Sequence, residues 1–92
     1  MRRFLIEREI PGAGSMEREQ LRGAAEKSNG VLNKLGPDIQ WVQSYVSGDK
    51  IFCIYLAKDE AIIHEHAKQS GFPANKVTEI KKVIDPTTAQ AA

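Results

Sequence analysis

The chain holds a single cysteine, Cys53, so no internal disulfide can form. It also lacks a charge of one sign. Thirteen Lys and Arg are interspersed with twelve Asp and Glu, for a formal net charge of +1. That balance argues against a partner held by charge, so neither nucleic acid nor an anionic membrane is expected. No apolar run approaches the roughly 20 residues of a membrane span. The opening "MRRFLIEREI" has two arginines but only Phe4, Leu5 and Ile6 before Glu7, too little for a signal peptide. A cytoplasmic protein is the expectation.

Several chemical motifs are missing as well. "PGAGS" (11–15) has neither the lysine of a P-loop nor the full G-x-G-x-x-G. No C-x-x-C follows the first strand, which excludes the copper-chaperone mechanism. The RNP1 pattern of RNA-binding sheets is absent from "KIFCIY" (50–55), and Glu7 and Glu9 stand where a stacking aromatic would be wanted.

What is present is one domain's worth of alternating and helical periodicity. Residues 3–10 alternate as a strand, with Phe4, Ile6 and Ile10 on one side and Leu5, Glu7 and Glu9 on the other. Ser15 is a candidate N-cap for a helix whose stripe runs Leu21, Ala24, Ala25, Ser28, Val31, Leu32 and Leu35. Gly36-Pro37 ends it. Residues 39–46 and 50–57 read as a hairpin around "SGD". Asp59 caps a second helix through Ser70, stopped by Gly71 and Pro73, and residues 76–84 read as the last strand. The order β-α-β-β-α-β predicts an α+β, ferredoxin-like fold, a four-stranded antiparallel sheet with two helices on one face. Residues 1–86 form the domain and 87–92 a flexible tail.

Phe4, Ile6, Phe52, Ile54 and Leu56 are the set expected to meet the helices. The opposite set, Glu7, Glu9, Trp41, Gln43, Tyr45, Cys53 and Tyr55, mixes aromatic and polar groups. A face of that kind is a ligand floor or, better, the interface of a homodimer. Glu7 and Glu9 are expected to form salt bridges to Lys81 or across a dimer interface.

"HEH" (64–66) invites a metal reading, but on a helix two steps of 100° leave His64 and His66 about 160° apart. They cannot share an ion. His66 falls among Ile62, Ile63, Ala67 and Ser70 and faces inward, where it needs a hydrogen-bond partner. His64 stands one turn from Glu60, so carboxylate and imidazole are neighbours on the outer face.

The segments "FLIEREIPGAG" (4–14), "IQWVQSYVSGDKIFCIYLA" (39–57), "IHEHAKQSGFPANKV" (63–77) and "VIDPTT" (83–88) resemble a family of small bacterial proteins classed as a domain of unknown function. The resemblance spans nearly the whole chain. It implies a ferredoxin-like fold, a homodimer and, from one member, nickel binding with a role in nickel sequestration. The matching residues are Glu7, Trp41, Tyr45, Cys53, His66, Gly71 and Pro73, and no ligand set comes with them.

The leading expectation is thus a non-enzymatic nickel-binding protein with no organic cofactor. Its candidate ligands are Glu60 with His64 outside, or His66 with Glu7 and Cys53 inside. An alternative of another class is a small-molecule binder or cofactor-free enzyme of the dimeric α+β barrel type. There Trp41, Tyr45, Tyr55 and Glu9 would line a pocket, with His66 or Glu7 as general base. A partner-binding module is the third reading. The discriminating observations are what contacts the His66 ring and what closes the open sheet face.

Overall fold

A computed structural model of the chain describes residues 1–90. Strand β1 (Arg2–Glu9) leads through a short 3-10 turn, Ala13–Ser15, into helix α1 (Arg18–Leu35). The hairpin β2 (Ile39–Val46) and β3 (Lys50–Ala57) follows, then helix α2 (Glu60–Ser70) and strand β4 (Lys76–Ile80). The sheet order is β2-β3-β1-β4, antiparallel throughout, which is the ferredoxin-like arrangement. Both helices lie on one face, because Ser28 of α1 and His66 of α2 meet at the same sheet residue, Tyr55.

The helix boundaries follow local chemistry. Ser15 closes the 3-10 turn and does not cap α1. Glu17 holds that position, and its backbone N–H donates to the Gln20 side chain at 2.8 Å. The helix runs unbroken through Gly23 and Gly30 and stops at Gly36, whose φ of 83° is left-handed. Asp59 Oδ1 accepts from the Ile62 N–H at 3.0 Å to start α2, and Gly71, at φ 78°, ends it. Strand β4 stops at Ile80, short of residue 84. Beyond it Asp85 caps a 3-10 turn at Pro86–Ala89, and the last two residues of the expected tail lie outside the described residues.

Two facial assignments differ from the sequence expectation. In β3 it is Ile51, Cys53, Tyr55 and Ala57 that turn toward the helices. Phe4 lies opposite Tyr55 and Ile6 opposite Cys53, so those four form the core with Ile39, Ala57 and Ile63. Phe52, Ile54 and Leu56 take the open face with Leu5, Glu7 and Glu9. The residues of "IFCIYL" are apolar on both parities, so alternation carries no sign. Pairing settles it: the Tyr55 hydroxyl finds Ser28, and Cys53 finds Arg8. The second difference is a register shift in β2 between Trp41 and Gln43. Val42 is the extra residue of a bulge, so Trp41 lies opposite Tyr55 on the helix side while Tyr45 lies opposite Phe52 on the open side.

Candidate functional site

Under the helices the polar groups form one connected network. His66 is 1% exposed, and its Nε2 lies 3.1 Å from Ser28 Oγ. Ser28 Oγ is also 3.3 Å from the Tyr55 hydroxyl, and the Tyr55 and His66 rings pack at a tilt, 5.3 Å between centroids. Burial first, and then the charge of Arg8, lower the His66 pKa from 6.5 to about 4, a fall that hydrogen bonding to Ser28 only partly offsets. The ring is therefore neutral at pH 7. Burial raises the Tyr55 pKa, against the Ser28 bond and the Arg8 charge.

Arg8 was not among the residues expected to matter, yet it sits at the centre of this network. It shares its parity with Phe4 and Ile6, and that alone turns it inward. It is 3% exposed. Nε donates to Cys53 Sγ at 3.4 Å and Nη1 to the Pro73 carbonyl at 2.9 Å. The guanidinium lies over the Tyr55 ring at 5.9 Å and the Phe72 ring at 5.7 Å. Among the described residues no carboxylate pairs with it.

Beside Arg8 a cavity of about 460 Å³ opens between the N-terminal half of α1 and the sheet. Leu21, Ala24, Ile51 and Phe72 supply apolar wall, and Ser28, Cys53 and Tyr55 supply polar atoms. The pocket thus lies on the helix side of the sheet. Of the residues expected to line a pocket on the open face, Trp41 and Tyr55 border this cavity instead. Tyr45 is 55% exposed on the open face and hydrogen-bonds there to Gln43.

The metal candidates divide the same way. On the outer face of α2, His64 Nε2 stands 3.0 Å from Glu60 Oε2. The inner trio does not assemble. His66 and Cys53 are under the helices, whereas Glu7 is on the open face, 3.8 Å from Lys50. Lys81 pairs with Glu79 and not with Glu7 or Glu9, because the antiparallel register sets Ile80 opposite Arg3 and Lys76 opposite Glu7, and the Glu9 carboxylate accepts from Asn75. Among the described residues no three His, Cys, Asp or Glu side chains converge as a metal-binding group, and no helix is long and apolar enough to cross a membrane.

The crystal structure of SCO4226 from Streptomyces coelicolor A3(2) is similar to this chain, with a TM-score of 0.75 at 14% identity, covering 89% of this chain and 99% of that one. At that identity the likeness is one of fold. No curated protein sequence matches. A family model described as "Nickel responsive protein SCO4226-like" matches residues 4–80. Matched over most of its length, and with the ferredoxin-like sheet described above, the chain belongs to this family of nickel-responsive, SCO4226-like proteins.

Proposed function

We propose that the protein is a non-enzymatic, cytoplasmic nickel-binding protein that sequesters the ion at the outer face of α2. The observation that carries this reading is the Glu60–His64 pair, 3.0 Å apart and about half exposed, in a chain of a nickel-responsive family. Imidazole and carboxylate both suit a divalent nickel ion. Placed one helical turn apart, the two side chains reach the same point in solvent. They fit part of a nickel site and not all of it, since two donors fall short of a square-planar or octahedral set. Water, or donors from a second copy, would fill the remaining positions.

The buried candidates fit less well. The Nε2 of His66 is engaged by Ser28, and Cys53 lies against the Arg8 guanidinium, whose charge repels a cation. Glu60 and His64 would hold nickel, and the bound ion would supply only its own removal from solution.

Titration calorimetry with nickel chloride on tag-free protein tests this. Saturable binding is expected, weakened about tenfold or more by His64→Ala and by Glu60→Gln, since each leaves a single protein donor. Binding that survives both substitutions unchanged would remove the site. No saturable binding by the unsubstituted chain would remove the function.

A further inference from the structure

Arg8 presents a charge that the protein does not itself neutralise. The side chain is 3% exposed, yet the groups it meets are a thiol, a peptide carbonyl and the Tyr55 and Phe72 rings, with no carboxylate among the described residues. Burying a cation without an anion is costly, and a structural role at this position would be served by an apolar side chain of similar size. The guanidinium instead borders the cavity of about 460 Å³, whose lining contains no Asp or Glu. Lys27 adds a second positive charge nearby, with Nζ 5.8 Å from the centre of the Phe72 ring. The volume lies within the usual range for small-molecule sites, which combine apolar walls with a few placed polar groups.

We propose that this cavity binds a small organic monoanion, a carboxylate carried on an apolar alkyl or aryl body. One carboxylate oxygen sits on Arg8 in a charge-assisted hydrogen bond. The Ser28 and Tyr55 hydroxyls, which border the same space, orient its second oxygen. The body lies between α1 and β3 against Leu21, Ala24 and Ile51. A single buried guanidinium in apolar walls favours a monoanion with a greasy body over inorganic phosphate, which needs more donors and more water.

The test is a metal-free titration of the full chain with sodium decanoate below its micelle concentration, followed by 15N–1H correlation spectra. Decanol and inorganic phosphate serve as comparison probes. Saturable decanoate binding is expected, with shifts at residues around the cavity. Decanol is expected to bind at least about tenfold more weakly, the scale of one lost charge-assisted hydrogen bond, and phosphate not at all. Arg8→Met should weaken decanoate at least tenfold, and Ala24→Phe, which fills the cavity without touching Arg8, should abolish binding. If Arg8→Met does not fold, the decanol comparison and Ala24→Phe decide. Equal binding of decanoate and decanol, phosphate binding as tight as decanoate, shifts on the open sheet face, unaltered binding by Ala24→Phe, or no saturation would each overturn the proposal.

Discussion

His66 shows how a single residue ties the stability of the fold to pH. In the folded chain its pKa is about 4, against 6.5 for an ordinary imidazole, because burial and Arg8 oppose the charged ring. As pH falls from about 6.5 toward 4, the unfolded chain takes up a proton that the folded chain refuses. The contribution is thus fully present above 6.5 and is lost across that window. A loss on the order of 1–2 kcal/mol corresponds to a fall of several degrees in Tm. Thermal unfolding at pH 7 and at pH 4.5 should show this fall in the unsubstituted chain and a smaller one in His66→Gln. The same slope in both would contradict the neutral, buried imidazole. The inward placement of His66 was legible from its position among Ile62, Ile63 and Ala67. Its partner was not, because Ser28 lies 38 residues away on the other helix. Arg8 carried a readable signal in its parity with Phe4 and Ile6. A charge near the end of a strand ordinarily reads as exposed, and the groups that hold it, Cys53 and the Pro73 carbonyl, come together only on folding.

At the scale of elements, the stops and the cap of α2 were the readable features, whereas the cap of α1 is Glu17 and not Ser15. Asp59, Gly36 and Gly71 occupy the positions their chemistry suits, and α2 begins and ends where that chemistry places it. Asp59→Ala removes the acceptor for the Ile62 N–H and should cost about 1 kcal/mol in denaturant unfolding, with Asp59→Ser recovering most of it. Glu60 and His64 stand in the first turns of this helix, so fraying would also weaken nickel binding a few-fold. Unchanged stability in Asp59→Ala would show that the cap bond contributes little. The strands were harder to orient. In β3 both parities are apolar, so only the partners of Tyr55 and Cys53 choose the buried side. In β2 the bulge at Val42 inverts the second half of the strand, and no glycine or proline marks it. That one inserted residue leaves Trp41 on the helix side and turns Tyr45 to the open face.

For the molecule as a whole, two helices on one side of a four-stranded sheet leave the other side to be covered. Leu5, Phe52, Ile54 and Leu56 are only partly buried there, beside an exposed Tyr45. We propose that two such faces pair in a homodimer, because leaving apolar surface wet is costly. Sedimentation at micromolar concentration should give a dimer, and Ile54→Glu, which places a charge mid-face, should give a monomer with the same circular dichroism. A monomeric unsubstituted chain would leave that face without its proposed partner.

Nickel held by Glu60 and His64, as proposed, would leave a direct magnetic signature. With oxygen and imidazole donors completed by water, the ion would be high-spin and paramagnetic and would broaden the signals of nearby amides. Substoichiometric nickel added to 15N-labelled protein should broaden residues 60–65 first, with that broadening lost in His64→Ala. Broadening that begins at Cys53 and His66, or that persists around residue 64 after His64→Ala, would contradict it.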